Sequence, residues 1–201
     1  MQVLGGAGYV QDYAAEQLYR DNRLNMIHEG TAGIHALTLL GRKVQGGKGE
    51  ALWAAMRSSV AAAEEQAAET LAASASAILA DCALDLRIAV DRAQSVTDKL
   101  TAATLPKDVA LVNAHDYMTL LGHTVIAWTW LRIATAASQA LDAQLASKTL
   151  ADPASDAERY YEGKLHTCSF FFRHELPKTR VLAELLVSLD TTVAGMRPEW
   201  F

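Results

Sequence analysis

The sequence predicts an all-α protein from its composition, its apolar periodicity and the scarcity of breaks. Ala and Leu are abundant, while clusters of β-branched residues bounded by turn signals are missing, a balance that favours helices. Apolar residues recur at three- and four-residue spacing along most of the chain, which is typical of amphipathic helices. With 201 residues, of which 51% are hydrophobic, the chain is long enough to bury a core.

The chain begins with a glycine-rich segment and two short helices. Gly5-Gly6-Ala7-Gly8 predicts a tight turn with accessible backbone N–H groups, which alone is a weak signal for phosphate binding. Asp12 is a good N-cap for a helix that ends near Asp21-Asn22. Thr31 is a good N-cap for a second helix that runs to about Val44. The apolar face of this second helix comprises Ile34, Leu37 and Leu40.

A change of composition at Gly46-Gly47 predicts a boundary between two parts of the chain. The glycine pair breaks the preceding helix, and the sequence beyond it is Ala-rich and acidic. We therefore expect a first domain over residues 1–45 and a second over residues 46–201.

The second part is predicted to be an antiparallel bundle. The apolar stripe of its first helix comprises Trp53, Met56, Val60, Ala67 and Leu71. The stripe of its second helix comprises Ile78, Cys82, Leu86, Ala89, Ala93, Val96 and Leu100. Ser74 and Ser76 are the only turn signals between the two helices, whereas Pro106 clearly ends the second, because the residue before a proline disfavours helix.

Three further helices are predicted after Pro106. The third runs over about residues 107–147 and is apolar nearly all round between Tyr117 and Ile133, so its neighbours must cover most sides. The fourth starts at Asp152-Pro153, Pro177 ends or kinks it, and a last helix covers about residues 179–196. The buried stripe of the fourth helix comprises Tyr161, Leu165, Cys168, Phe172 and Leu176. Short connections between long helices predict antiparallel neighbours.

The distribution of charge argues against several classes of partner. Residues 1–45 carry equal numbers of acidic and basic side chains, so the formal charge of −5 belongs to the remainder. No basic stripe is present that could neutralise a phosphate backbone, which argues against nucleic acid as a partner.

The longest apolar run contains His123 and Arg132 and is too short and polar for a membrane span. The first residues lack the basic and apolar regions of a signal peptide.

Cysteine and histidine positions do not predict a metal site. Cys82 and Cys168 lack metal-ligand spacing, so we expect reduced, buried thiols in a cytoplasmic protein. His115, Asp116 and His123 share one apolar helix, but no second helix contributes the Glu-x-x-His pairs that a metal site in a bundle would need. The aromatic cluster at residues 170–172 is more typical of a core or an interface.

The stretch Ile27-His28-Glu29-Gly30-Thr31 carries the candidate chemistry. Glu29 and Gly30 are the last loop residues before the second helix. A carboxylate there, beside backbone N–H groups and a glycine that a ligand can approach, suits a general base. A loop acid that only favours the start of the helix is the simpler alternative.

Residues 2–43 resemble the end of the helical catalytic domain of flavin-dependent acyl-CoA dehydrogenases. The resemblance rests on four ordered pieces at the spacing of that family: Gln2-Val3-Leu4-Gly5-Gly6-Ala7-Gly8-Tyr9, Asp12-Tyr13 with Glu16, Tyr19-Arg20-Asp21, and Glu29-Gly30-Thr31. The continuation over residues 36–43, followed by a helical extension, is similar to a branch that includes dehydrogenases of methylthiopropionyl-CoA-type thioesters. In the extension, the resemblance rests on helical pattern alone.

The resemblance implies a role for each matching residue. Glu29 would remove the α proton of an acyl-CoA thioester, and its backbone N–H would hydrogen-bond the thioester carbonyl. Thr31 would contact FAD, and Gln2, Gly5 and Gly6 would face the FAD of a neighbouring subunit. His28 and Gly30 would border the substrate. The implied product is a 2,3-enoyl-CoA, with an electron-transferring acceptor and a homodimer as partners.

Some residues depart from the family pattern. His28 stands where the family usually has Tyr, Ala14 replaces a common Pro, and Ala32 and His35 replace usual amides. These changes bear on the identity of the substrate rather than on the class of enzyme.

The central β domain of the family is absent from these 201 residues, which implies either a C-terminal fragment or a separately encoded remnant. The alternative function is a non-catalytic helical assembly module derived from that family.

Overall fold

The computed structural model describes residues 1–146 and 154–200, and all regular elements in these ranges are helical, which confirms the all-α prediction. The α-helices are α1 (Ala15–Arg23), α2 (Ala32–Thr38), α3 (Glu50–Glu69), α4 (Ala73–Leu100), α5 (Lys107–Leu111), α6 (Ala114–Leu145), α7 (Asp156–Phe170) and α8 (Lys178–Ser188). Short 3₁₀ segments cover Gln2–Tyr9, Leu24–Met26, Gln45–Gly47 and Pro198–Trp200.

Helix α6 is the centre of the bundle, as its apolar sequence predicts. It packs against α2, α3, α4, α7 and α8, and Tyr117, Leu120 and Leu131 on it are fully buried. Its neighbours cover most of its sides, as predicted, but one strip is open, since Ile126 and Ile133 are 47% and 37% exposed. The neighbouring helices leave that strip open to solvent.

One hydrophobic core extends from α2 to α8. Ala36 and Leu40 are fully buried and belong to the same cluster as Leu186 near the end of α8. Helix α2 and the π-helical turn Leu39–Lys43 that continues it both pack against α6. Core packing therefore crosses the Gly46-Gly47 segment, while the division into domains at that segment remains a prediction.

Two predicted helix starts were displaced. Helix α1 begins at Ala15 with Ala14 as its N-cap rather than Asp12, which lies in the preceding turn. The break between α3 and α4 lies at residues 70–72, because Thr70 and Ala72 are extended. Ser74 and Ser76 are already helical. As a result, Leu71 is 68% exposed, and its prediction as part of the buried stripe of α3 was wrong.

The predicted third and last helices were too long. Asn113 leaves the helical conformation and separates α5 from α6, and its side-chain amide donates to the carbonyl oxygen of Asp190 at 2.9 Å. Helix α8 ends at Ser188, where Leu189 is left-handed with a φ of 56°, rather than at Met196. The predicted end near residue 147 and the predicted start at Asp152-Pro153 lie outside the described residues.

Helix α7 ends before Pro177 and α8 begins after it, as predicted. Phe171–Glu175 forms a π-helical turn, in which the Leu176 N–H donates to the carbonyl oxygen of Phe171 at 3.0 Å. Pro177 is the N-cap of α8. At the other end of α7, Ser155 and Glu158 form a reciprocal capping box, a start signal that the sequence analysis missed.

A polar network joins the end of α3 to α6. The Asp142 carboxylate accepts from the Gln66 amide at 2.8 Å, from the Thr70 hydroxyl at 2.9 Å and from the Leu71 N–H at 2.9 Å. The Ser138 hydroxyl donates to the Thr70 hydroxyl at 3.0 Å. Asp142 thus stops α3 at the point where the chain turns into α4.

Replacing Asp142 with Ala is expected to lower the free energy of unfolding by about 2 kcal/mol, because it leaves partly buried donors without an acceptor. Asp142→Asn, which keeps the shape and one acceptor oxygen, should lose less than half of that amount. Urea unfolding followed by circular dichroism measures both changes. Equal stability of Asp142→Ala and the unaltered chain would show that the network does not stabilise the bundle.

Candidate active site at the start of α2

The backbone of Glu29 and Gly30 has an unusual conformation. Glu29 is left-handed with a φ of 55°, and Gly30 has a φ of 123°, where side chains are strongly disfavoured. Among the described non-glycine residues, only Glu29 and Leu189 have a positive φ. A left-handed non-glycine residue costs about 1 kcal/mol or more, and such residues are concentrated at functional sites.

The Glu29 side chain is exposed to solvent. Within residues 1–146 and 154–200, no hydrogen bond or ion pair engages its carboxylate. The neighbouring His28 is not hydrogen-bonded to the Glu29 carboxylate. Its Nδ1 lies 3.2 Å from the carbonyl oxygen of Leu24. The carboxylate is therefore accessible to a ligand.

His35 lies over Gly30. A Cβ placed on Gly30 would be 3.6 Å from His35 Nε2 and 3.5 Å from the side chain of Ile34. Side chains of a helix point back towards its N-terminus, which explains how His35 in α2 reaches the preceding loop. In the sequence, His35 stands out only as a departure from the family pattern, although this helical direction could have placed it beside Gly30.

Thr31 occupies the predicted N-cap position of α2. It is extended, with φ and ψ of −73° and 162°, and its carbonyl oxygen accepts from the N–H of His35 at 3.1 Å. Its exposed hydroxyl makes no capping hydrogen bond. The hydroxyl therefore remains available for another partner.

The glycine-rich segment forms a separate feature. It consists of 3₁₀ turns over Gln2–Tyr9 that are interrupted at Gly5, where φ is 55° and ψ is −139°. A Cβ on Gly5 or Gly6 would meet no atom within 4 Å, so a ligand could approach both. Gly8, by contrast, is packed against the backbone of Met1.

No hydrogen bond or ion pair within the described ranges joins the two sets of predicted site residues. His28, Glu29, Gly30 and Thr31 are consecutive residues at the start of α2. Gln2, Gly5 and Gly6 lie in the turns Gln2–Tyr9, which contact α1. The 3₁₀ segment Leu24–Met26 continues α1 towards His28.

The described ranges offer no competing metal site or membrane span. No group of three potential His, Cys, Asp or Glu ligands occurs within them. His123 Nδ1 lies 2.9 Å from the carbonyl oxygen of Thr119, and its Nε2 lies 3.8 Å from the Glu175 carboxylate. None of the described helices is both long and apolar enough to cross a membrane.

The two cysteines meet in the core, which their separation in sequence does not reveal. Cys82 of α4 and Cys168 of α7 are buried, and their Sγ atoms lie 3.8 Å apart. The hydrogen bond to Cys82 and burial both raise the pKa of the Cys168 thiol. A thiol in this state is a packing group rather than a nucleophile.

Comparisons with known families match both parts of the chain. Residues 51–197 match the family described as "Acetyl-CoA dehydrogenase C-terminal like". Residues 1–44, which contain Glu29, match the family described as "Acyl-CoA dehydrogenase, C-terminal domain". These matches support the resemblance drawn from the four sequence pieces and extend it to the bundle.

Individual relatives agree with the family matches. The broad-specificity linear acyl-CoA dehydrogenase FadE5 of Mycobacterium tuberculosis is 30% identical over 96% of the chain, which spans 30% of that protein. The mitochondrial short-chain specific acyl-CoA dehydrogenase of Bos taurus is 51% identical over 20% of the chain and 10% of its own length. The 3-methylmercaptopropionyl-CoA dehydrogenase of Ruegeria pomeroyi is 48% identical over 22% of the chain and 8% of its own length. The chain belongs to the acyl-CoA dehydrogenase family and corresponds to its C-terminal helical part.

Proposed function

We propose that the chain is the C-terminal part of an FAD-dependent acyl-CoA dehydrogenase in which Glu29 is the catalytic base. The observation that supports this most is the backbone at Glu29 and Gly30, which presents an unpaired carboxylate ahead of α2. A structural acid would gain from a hydrogen bond or an ion pair, whereas a general base must stay accessible to the proton it removes.

The residues of the chain have distinct tasks in this proposal. The Glu29 carboxylate accepts the α proton of the acyl-CoA thioester, and the Glu29 N–H donates to the thioester carbonyl oxygen as negative charge develops there. Gly30 lets the thioester approach the backbone, while His28 and His35 border the substrate. The product is a 2,3-enoyl-CoA, and an electron-transferring protein serves as the final acceptor.

The residues assigned to FAD fit such a group. Space is open above Gly5 and Gly6, and the Thr31 hydroxyl is not engaged in a cap. When bound, FAD accepts the hydride from the β carbon of the substrate. Gln2, Gly5 and Gly6 would hold the cofactor of a neighbouring subunit, as the family resemblance implies.

The second candidate is a non-catalytic assembly module. It is favoured by the apolar side chains that residues 1–37 leave exposed, for example Leu18 and Tyr19 at 69% and 66% and Ile27 at 57%. Such surfaces seldom persist in monomers. A reading frame that continues upstream of Met1 into a β-rich domain supports the dehydrogenase, whereas a true start at Met1 supports the module.

The proposal is tested on the complete enzyme, meaning the product of the extended reading frame. We expect it to purify with a flavin absorption band that bleaches when an acyl-CoA is added without oxygen. A matched preparation that receives free CoA should keep its absorption. A purified protein that contains flavin but does not bleach with short-, medium- or long-chain acyl-CoA would contradict the proposal.

The 201-residue chain alone is expected to be folded, helical, colourless, inactive and dimeric through its first 45 residues. Residues 2–43 provide only one wall of a flavin site, and a few hydrogen bonds of about 1 kcal/mol each do not offset the immobilisation of FAD. Light scattering measures the oligomeric state. A visible spectrum recorded after dialysis from excess FAD measures the flavin that remains bound.

Variants test which surface forms the dimer. Leu18→Asp should produce a monomer, whereas Leu84→Asp, at an exposed position of α4, should leave the dimer intact. Retained stoichiometric flavin would overturn the colourless-fragment prediction, and a monomeric unaltered chain would overturn the dimer.

A further inference from the structure

A groove runs between α4 and α8 on the outside of the bundle. One part of it has a volume of about 350 Å³ and is lined by Val96 of α4 together with Ala183 and Val187 of α8. A second depression continues it towards Phe172, in the π-helical turn that follows α7. Arg92 and Arg180 line both depressions. The two depressions therefore form one surface feature with a pair of arginines at its middle.

Arg92 and Arg180 line the groove from its two walls, α4 and α8. Arg92 is half-buried, and its guanidinium donates to the Thr179 hydroxyl at a long distance of 3.4 Å. Within the described ranges, neither Arg92 nor Arg180 forms an ion pair with a carboxylate. Burial and the charge of Arg180 both lower the pKa of Arg92.

Two acidic side chains face the same groove. Glu184 lines it from α8 and partly compensates the two arginines, since its charge raises the pKa of Arg92. Asp85 lines it from α4, and burial and Asp81 raise the pKa of its carboxyl group, while Arg180 lowers it. These carboxylates lie at longer range than an ion pair, so they leave both guanidinium groups available.

From this arrangement we propose that the groove binds the phosphate monoester of a small organic molecule through Arg92 and Arg180. Guanidinium groups match the oxygens of a phosphate in two-pronged hydrogen bonds, and a dianion relieves the repulsion between two cations. Ser95, which lines the groove, supplies a hydroxyl donor. The apolar wall of Val96, Ala183 and Val187 contacts the organic part of the ligand.

A soluble ester fits this groove better than a lipid headgroup. The chain carries a formal charge of −5, and Asp81, Asp85 and Glu184 lie around the groove. An anionic membrane would repel such a surface. All residues assigned to the phosphate site belong to α4 and α8. The site is therefore independent of the function proposed for Glu29.

Calorimetric titration of the 201-residue chain at constant ionic strength tests the inference, with inorganic phosphate and phenyl phosphate as probes. We expect phenyl phosphate to bind with one-to-one stoichiometry and several-fold more tightly than inorganic phosphate, because its ring buries apolar surface. Arg92→Gln and Arg180→Gln should each raise its Kd about tenfold. Arg132→Gln, which alters an arginine stacked on Trp128 of α6, should leave the Kd unchanged.

Circular dichroism verifies that each variant is folded. If Arg92→Gln is not folded, the Arg180→Gln variant, whose substitution is at an exposed position, tests the inference without it. Failure of phenyl phosphate to bind at millimolar concentration, or an unchanged Kd in the folded arginine variants, would overturn the inference. Equal Kd values for the two probes would exclude the apolar wall as part of the site. Sedimentation with phosphatidic acid vesicles but no binding of the soluble probes would assign the groove to lipid and overturn the proposal.

Discussion

Glu29→Gln in the complete enzyme is expected to reduce the rate of flavin bleaching by an acyl-CoA by about a thousandfold or more. The amide keeps the shape and the hydrogen-bonding capacity of the side chain but cannot accept the α proton, and loss of a positioned base has effects of this size. FAD should remain bound, because no residue assigned to the cofactor changes. Stopped-flow absorption measures the rate, and the absorption spectrum before mixing measures the flavin content.

The matched control for this variant is Glu65→Gln, which makes the same change at an exposed position of α3. It should bleach at the unaltered rate. His28→Gln should change the preference among acyl-CoA substrates more than the rate with the best substrate. Near-normal bleaching in flavin-loaded Glu29→Gln would remove Glu29 from the mechanism.

Leu40→Ala is expected to lower the free energy of unfolding of the 201-residue chain by about 3 kcal/mol. Leu40 is fully buried where the π-helical turn after α2 packs against α6. The substitution removes buried apolar surface and leaves a cavity that the packed helices fill only in part. Urea unfolding followed by circular dichroism measures the change.

Leu37→Ala is the matched control for Leu40→Ala, since Leu37 lies in α2 directly before that turn but is 44% exposed. It should cost less than about 1 kcal/mol. The comparison also tests whether residues 32–44 are part of the bundle core. A similar small loss for both variants would mean that α2 contributes little to the core and that the bundle is stable without it.

Elements with a strong local cause were predictable from the sequence. Pro177 removes a helical hydrogen bond, and α8 begins directly after it. The glycines at 46 and 47 adopt positive φ values and end the segment that contains α2. Glu29 and Gly30 were recognisable as a unit because the order of the four sequence pieces is specific.

Features that depend on tertiary contacts were not predictable. The stop of α3 is fixed by Asp142, a residue more than 70 positions further along the chain. The break at Asn113 is held by a hydrogen bond to Asp190 after α8. Cys82 and Cys168 both belonged to predicted buried stripes, but periodicity assigns a face of a helix and not the neighbour that covers it.

The residues of the candidate site are a prediction from the sequence, whereas their conformation required the structure. No local signal in the sequence assigns a left-handed φ to Glu29, since glutamate rarely adopts it. The place of His35 over Gly30 follows from the direction of helical side chains once the start of α2 is known.

The claim that Glu29 removes the α proton is tested most directly by hydrogen exchange at the α carbon of the substrate. The complete enzyme and its flavin-loaded Glu29→Gln variant are incubated with an acyl-CoA in D₂O, and deuterium at the α carbon is followed by nuclear magnetic resonance. The account predicts incorporation with the unaltered enzyme and none above the enzyme-free rate with the variant. Equal incorporation by both enzymes would contradict it.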